Sequence, residues 1–242
     1  TDSRMHSQAT ANDVVRTLPP EIRNRWLSKG KIRHLQAGEV IAEPLSASEV
    51  SAYFPLTTLM AWVNWLCDGS SAAIALIGRE GMMELNHVQG LGQQLMMVRA
   101  GAVLQVPAHV VHADERQSWI VHQLYRDNQQ ALMAQANQNA ICNQHHGLSQ
   151  RLARLLQSIF SRLESDSVRI THERLASLLG TRRERVSQAA SVLQKLGVIS
   201  CARGSITVTD KTALSAHGCE CCGFTLPASV LASRFEQARD QT

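Results

Sequence analysis

The helix starts and stops within residues 170–199 constrain the fold more than any other feature of the chain. Thr171 is a good N-cap for a first helix, because its hydroxyl oxygen can accept a hydrogen bond from the first turn. Gly180 ends that helix, since glycine adopts the left-handed conformation without steric cost. Thr181 and Glu184 have the spacing of a capping box, which starts a second helix directly after the turn. This pattern predicts two short helices joined by a tight turn.

The residues that follow complete the motif. The first helix has an apolar inner face, and so does the second, with small side chains near the turn that allow close approach: Leu175, Ala176 and Leu179, then Val186, Ala189, Ala190 and Leu193. Gly197 closes the second helix. Residues 198–201 and 205–208 then predict a two-stranded wing, with Arg203 in the connection between them.

Polar side chains occupy the outward face where the second helix begins: Arg182, Arg183, Glu184, Arg185, Ser187 and Gln188. These residue types can read base edges, because Arg bonds guanine, Glu accepts from cytosine and Gln pairs with adenine. Other Arg and Ser side chains hold phosphate. Thr171 and Arg203 are expected to contact DNA as well. The alternative is a helical hairpin with a solvated charged face, but the coincidence of caps, spacing and charge favours DNA recognition.

Positive charge is concentrated in the same part of the chain. The 242 residues carry a net charge of +4, yet residues 149–211 hold 11 basic and 5 acidic residues, or +6, and the remainder stands at −2. This asymmetry is typical of a phosphate-binding module joined to a control module, and it predicts double-stranded DNA as a partner. No apolar run approaches the length of a bilayer crossing, so we expect a soluble cytoplasmic protein with no membrane partner.

The first half of the chain has the texture of β structure. Between residues 31 and 111, short apolar stretches alternate with Gly, Pro, Asn and Asp, at residues 39–42, 59–66, 73–77, 94–98 and 102–106. Asp68 and Gly69 between two of them form a good hairpin turn. We expect an antiparallel β sandwich or barrel, preceded by a short helix over residues 13–27 that is interrupted at Pro19 and Pro20.

Residues 114–146 contain neither Gly nor Pro, which permits one long helix. Its apolar stripe consists of Ile120, Leu124, Ala131 and Leu132. Three amides make the stripe weaker than a standard zipper: Asn128, Gln135 and Asn139. A helix this long in a chain this short needs a partner surface, and dimerisation is the natural choice. A second helix over residues 149–162 is expected to pack in an ordinary core.

The order of β sandwich, long helix and winged helix-turn-helix resembles the Crp/Fnr superfamily of bacterial transcription regulators, over about residues 35–209. Arg183 and Glu184 fall on the family's Arg-Glu base-reading pair, whereas Gln188 stands where the family commonly has Arg. The resemblance implies an α+β fold with an N-terminal antiparallel β-roll or jelly-roll sensor domain. It also implies a homodimer that reads a palindromic operator, with RNA polymerase as a further partner if the protein is an activator.

The resemblance also implies domain boundaries. We expect a helical lead-in, a β-roll sensor domain, a dimerisation helix, a winged helix-turn-helix domain and a C-terminal tail, over residues 1–34, 35–112, 113–147, 148–226 and 227–242.

The sensor half departs from the cyclic-nucleotide-binding members. Those carry an Arg-Ser or Arg-Thr pair on the cyclic phosphate, whereas Gln93 and Gln94 stand in the corresponding stretch here, residues 78–95. Neutral amides cannot neutralise a phosphate, so cyclic AMP is disfavoured. An iron–sulfur cluster is disfavoured because the N-terminal region has no cysteine. The effector is unknown. A small ligand is expected near a group of residues in and beside this stretch: Gly78, Arg79, Glu80, Gln93, Gln94 and Arg99. Surface salt bridges are the commoner role for the two arginines.

The six cysteines do not resemble a secreted disulfide framework, because Cys219, Cys221 and Cys222 crowd together. Cys67 is expected to be a small core residue. Two groups have ligand-type side chains: Cys142, His145 and His146 near the end of the long helix, and residues 217–222 after the wing. The adjacent Cys221 and Cys222 cannot easily share a tetrahedral ion with Cys219, so we assign no metal site. Redox-active thiols and solvated tail cysteines are the other interpretations of the tail.

Two further classes of function compete with this interpretation. A ligand or thiol-redox sensor could act mainly through protein contacts, with the winged helix as a docking surface. An enzyme is disfavoured, and no catalytic residue is assigned, because no Ser/His/Asp set, metal-ligand triad or phosphate loop occurs at a recognisable spacing.

Overall fold

The computed structural model describes residues 8–42, 46, 49–85 and 92–219. The chain begins with helices α1 (Asp13–Thr17) and α2 (Pro20–Lys29), and the break between them lies at the two prolines as predicted. The strands of the first half follow: β1 (Lys31–Leu35), β2 (Val40–Ala42), β3 (Ser51–Pro55), β4 (Leu59–Trp65), β5 (Ser71–Ile77), β6 (Met83–Glu84), β7 (Gly92–Arg99) and β8 (Gly101–Pro107).

These strands form two antiparallel sheets, in the orders β1-β8-β3-β6 and β2-β7-β4-β5. The antiparallel β architecture predicted from the alternating texture is therefore confirmed. Residues of both sheets share one buried cluster, which includes Met60, Leu95 and Val103. The hairpin between β4 and β5 turns at Asp68 and Gly69, where Gly69 has a φ of 81°.

The predicted long helix is broken. Helix α3 covers Ala108–Gln117, and the long helix α4 begins only at Trp119 and runs to His145, with Ser118 extended between them. Asp114 explains the break, because its buried carboxylate accepts from Trp26 Nε1 at 2.8 Å and pairs with Arg25 at 2.5 Å. These contacts hold α3 on α2, so the chain must change direction before it can follow the sheet. The absence of Gly and Pro permitted a continuous helix but did not require one.

Helix α4 lies along the outer edge of strand β5 and is bonded to the sheet domain by the amides that weakened its stripe. Asn128 accepts from the Met82 N–H and donates to the Met82 carbonyl, both at 3.0 Å. Gln135 makes the same pair of bonds to Leu76, both at 3.1 Å. Asn139 donates to the Ile74 carbonyl at 2.8 Å. Gln135 and Asn139 thus satisfy backbone groups at the open edge of β5, and Asn128 satisfies those of Met82, just before β6.

The four stripe residues were expected to face a partner chain, and this expectation is wrong for the two leucines. Leu124 and Leu132 are each only 5% exposed, and they pack in the clusters of buried residues that belong to their own β domain. They lie on the same side of α4 as the amides, because positions three, four and seven apart share a helical face. The packing of α4 on β5 therefore buries these leucines of the predicted dimer stripe within one chain.

The C-terminal part contains helices around a small sheet: α5 (Leu148–Leu163), β9 (Ser167–Arg169), α6 (His172–Leu179), α7 (Arg183–Lys195), β10 (Ile199–Ala202), β11 (Ser205–Val208) and α8 (Lys211–His217). Its core continues into the outer face of the β4 sheet, through Val63, Leu76 and Val98. In the part of the chain that the structure describes, no helix is long and apolar enough to cross a bilayer.

We predict that Asn128→Ala loosens the dock of α4. The change removes two hydrogen bonds and leaves the backbone of Met82 unpaired, so the free energy of unfolding should fall by about 2–3 kcal/mol. Urea unfolding followed by tryptophan fluorescence measures it, since all four tryptophans precede residue 120. Gln194→Ala is the control, an exposed helical amide of α7 away from α4 that should change stability by less than about 0.5 kcal/mol. Equal losses in the two variants would contradict the dock.

Candidate nucleic-acid interface

The first helix of the motif begins and ends where its sequence predicts. Thr171 caps α6, and its side-chain oxygen accepts from the Arg174 N–H at 3.2 Å. Gly180 ends the helix in the left-handed region, with a φ of 63°. Thr171 itself is exposed beside the second helix. Its hydroxyl therefore has a structural task at the site where DNA contact is expected.

The predicted capping box at the second helix is wrong. Helix α7 begins at Arg183 with Arg182 as its N-cap, and no side chain caps it. The Thr181 N–H donates to the Ala176 carbonyl at 3.1 Å, so Thr181 belongs to the closing turn of α6. Glu184 is exposed rather than folded back on the cap. Its carboxylate is consequently presented outward at the start of α7.

The predicted recognition residues occupy one end of α7. Arg182, Arg183, Glu184, Arg185 and Gln188 are all exposed. Ser187 differs, because it is half-buried and its hydroxyl lies 2.9 Å from Nδ1 of His172. Sequence reasoning missed His172, which joins the start of α6 to the first turns of α7. Ser187 thus positions the two helices relative to each other.

The wing closes in a tighter turn than expected. Arg203 and Gly204 form the turn between β10 and β11, with φ values of 48° and 76° that are typical of a two-residue hairpin. Arg203 is exposed at its tip. A third strand, β9, pairs with β11 and was missed because three residues carry too little pattern. A groove of about 450 Å³ separates the wing from the helices, and its lining includes Thr171, Arg183 and Arg203.

The residues expected near a sensor ligand do not form one group in the structure. Arg79 is paired with Glu164, and Glu80 pairs with Arg162 at 2.8 Å, so both connect the β domain to the end of α5. Glu80 also accepts from the Gly78 N–H at 3.2 Å. Gln93 is buried and Gln94 half-buried in β7, while Arg99 is exposed at the end of that strand. Residues 86–91 of the Gly-rich loop lie outside the described residues.

A titratable cluster that sequence reasoning missed joins α3 to β6. The ring nitrogens of His112 lie 3.0 Å from Glu84 and 3.1 Å from Glu115. Partial burial lowers the pKa of His112, but the hydrogen bond to Glu115 and the charge of Glu84 outweigh it and raise the pKa above its ordinary value. The His112 bridge therefore contributes stability below the ordinary imidazole pKa and loses it as the pH rises through the raised value.

The cysteines are also placed differently from the prediction. Cys67 is exposed in the β4–β5 hairpin, not in the core, because the strand ends at Trp65. Cys142 and Cys219 are buried, with their Sγ atoms 3.6 Å apart. Cys221 and Cys222 lie outside the described residues.

The sequence of residues 150–217 matches the family described as a Crp-like helix-turn-helix domain, and the match covers α6, α7 and the wing. These residues are a Crp-like helix-turn-helix domain. No curated protein sequence matches the chain. The match is confined to these residues, and the likeness of the longer chain to Crp/Fnr regulators is one of fold.

Solved structures show the same fold over most of the chain. A crp/fnr family regulator from Eubacterium rectale has a TM-score of 0.65 and 15% identity, covering 86% of this chain and 98% of that one. FixK2 from Bradyrhizobium japonicum has a TM-score of 0.63 and 16% identity, covering 78% and 98%. A CRP family regulator from Thermus thermophilus has a TM-score of 0.61 and 18% identity, covering 81% and 99%.

We predict that the threonines at the two ends of α6, Thr171 before it and Thr181 after it, differ in their contribution to stability. Thr171→Ala removes the side chain that caps α6 and should lower the free energy of unfolding by about 1 kcal/mol. Thr181→Ala should change it by less than about 0.5 kcal/mol, because Thr181 caps no helix. Thermal unfolding of both variants tests this. If Thr181→Ala lowers the free energy of unfolding as much as Thr171→Ala does, then Thr181 does cap α7.

Proposed function

We propose that the chain is a homodimeric transcription regulator that reads a palindromic operator through α7. The observation that carries this proposal is the exposed group Arg183, Glu184 and Gln188 at the N-terminal end of the second helix of a Crp-like domain. In helix-turn-helix proteins this end of the second helix enters the major groove. The groove between α7 and the wing leaves room for the DNA backbone beside it.

Each side chain has a task that follows from its type and position. Arg183 bonds guanine, Glu184 accepts from the cytosine amino group, and Gln188 pairs with adenine. Arg182 and Arg185 flank this group and bind phosphate, and Arg203 reaches the backbone from the wing tip. Ser187 holds His172 and so fixes the angle at which α7 enters the groove. Thr171 contributes through its cap on α6.

We predict that Arg183→Ala and Glu184→Ala reduce specific binding far more than non-specific binding. Losing one good base contact costs about 1–3 kcal/mol, and a symmetric dimer loses it in both half-sites. Affinity for the operator should therefore fall about a hundredfold or more. Genome-wide mapping of bound sites supplies the operator, and fluorescence anisotropy at two salt concentrations measures both affinities.

The matched controls are Arg182→Ala and Arg185→Ala. Each removes one positive charge, as Arg183→Ala does, but at the flanks of the group. They should weaken specific and non-specific DNA alike and reduce the salt dependence by about one phosphate contact each. If all four variants stay folded and change the ratio of specific to non-specific affinity equally, α7 does not read sequence.

The dimer is proposed through the face of α4 that points away from β5. Trp119, Met133 and Ile141 lie within one side of the helix and are 69%, 62% and 53% exposed. They stand opposite the amides that bind the sheet, because each residue turns the helix by about 100°. Large exposed apolar side chains on one face are typical of an interface, and a second copy of the same helix can bury them with two-fold symmetry. The half-sites of a palindrome require the same two-fold symmetry.

We predict that Met133→Asp gives a folded monomer, because the charge would be buried between the two copies of α4. Leu66→Asp is the control, an apolar side chain of similar exposure (56%) that lies away from the helix, and it should leave the dimer intact. Sedimentation velocity at micromolar concentration measures the result. A dimeric Met133→Asp protein, or a monomeric wild type, would refute this interface. Leu124→Asp is unsuitable, because it would disrupt the β domain.

The effector is proposed to differ from a cyclic nucleotide. Arg79, the cation nearest the expected turn in sequence, is paired with Glu164, and Gln93 is buried in its strand. Neither arrangement presents a free cation to a cyclic phosphate. The ion pairs to α5 would instead transmit a change in the β domain to the DNA-binding domain, because they join the two directly.

A further inference from the structure

Two cysteines and a histidine from distant parts of the chain meet where the long helix ends. Cys142 and His146 lie one turn apart at the end of α4, and Cys219 follows α8. The Sγ atoms of Cys142 and Cys219 are 3.6 Å apart, and each residue offers a ligand atom within 4.8 Å of the other two. Both cysteines are buried and His146 is half-buried. The sequence shows two separate groups of such residues, and the fold brings members of both together.

The spacing suits a shared metal ion. With zinc–sulfur bonds of about 2.3 Å and tetrahedral angles, two thiolates on one ion stand about 3.8 Å apart, and a thiolate and an imidazole nitrogen slightly closer. A disulfide would require about 2.05 Å between the sulfurs. The observed 3.6 Å is close to the edge of a zinc tetrahedron.

We propose that Cys142, His146 and Cys219 bind a thiophilic divalent cation of the zinc class. Both thiols lose a proton on binding, and the neutral imidazole supplies the third ligand. Water or a further side chain completes the tetrahedron. Cys221 and Cys222 follow Cys219 in the sequence and lie outside the described residues, so neither is assigned to the site.

The surrounding structure holds the three ligands in place. The His146 N–H donates to the Cys142 carbonyl at 3.1 Å, which keeps both residues on one helical turn. The Gln138 amide lies 3.5 Å from Cys142 Sγ, an outer contact of the kind that orients a ligating thiolate. On the other side, the Gly218 N–H donates to the Leu214 carbonyl at 3.0 Å, and Leu214 is buried in the core of the DNA-binding domain.

An ion at this site would join α4 to the DNA-binding domain. Only His146 and Gly147 connect α4 to α5, and both are extended. We call this two-residue connection the joint. Cys219 lies close to it, although it follows the opposite end of the Crp-like domain in the sequence. The ion would therefore fix the orientation of α7 relative to α4. This consequence rests on the proposed function, whereas the site itself does not.

The test is metal binding by the full chain. Purified protein is stripped and titrated with Zn²⁺ against a chromophoric chelator, and Co²⁺ is used as a spectroscopic probe. We expect one tightly bound ion per chain and the thiolate-to-cobalt charge-transfer band. Cys142→Ser, His146→Ala and Cys219→Ser should each weaken zinc binding by more than about a hundredfold, because loss of an outer contact alone typically costs about 10- to 100-fold. Cys67→Ser and Cys201→Ser, which change cysteines outside the cluster, should retain it.

Other results would overturn the site. If zinc binding survives Cys142→Ser and His146→Ala but is lost on replacing Cys219, Cys221 and Cys222, the tail binds metal without α4. If the protein binds no zinc and instead forms a Cys142–Cys219 disulfide under oxidant, the pair is a thiol switch. Circular dichroism shows whether each variant is folded. Operator affinity is measured separately with and without zinc, so a failure of DNA binding in both forms counts against the proposed function only.

Discussion

The position of helix α4 on the β domain depends on a row of three amide side chains. Gln135 and Asn139 bond to the backbone of β5, which has no neighbouring strand on that side among the described residues, and Asn128 bonds to Met82 just before β6. An amide that both accepts from and donates to one residue acts like an added strand, and a buried pair of this kind is expensive to break. The row therefore fixes the rotation of the helix about its own axis.

That rotation decides which surfaces remain available. Leu124 and Leu132 turn inward with the amides, and Trp119, Met133 and Ile141 turn outward. The other face of the sheet packs against the Crp-like domain in a continuous apolar core, and the Glu80–Arg162 pair connects the two parts at 2.8 Å. Arg154 of α5 also bonds Asn139, so one member of the amide row contacts both domains. The proposed dimer face and α7 thus have defined relative positions within one chain.

The joint between α4 and α5 is the point at which this arrangement can change. His146 and Gly147 are its only extended residues, and the proposed metal ligands stand on both sides of it. Hydrogen bonds and ion pairs hold α5 to the β domain. A metal ion would in addition hold the segment after α8 to the end of α4. The orientation of the recognition helices would then respond to two inputs, one through the β domain and one through the ligands of the ion.

The sequence by itself determined the elements whose signals are local: the start and end of α6, the inner faces of α6 and α7, the wing and most β strands, since caps, periodicity and turn residues act within a few positions. Local patterns misplaced the cap of α7 by one residue, because Thr181 is used by the preceding turn. Tertiary structure alone decided the break at Ser118, which depends on Asp114 reaching Trp26 far along the chain. It alone decided which face of α4 is covered and that Cys142 meets Cys219, because contacts between distant segments leave no periodic trace in a single sequence.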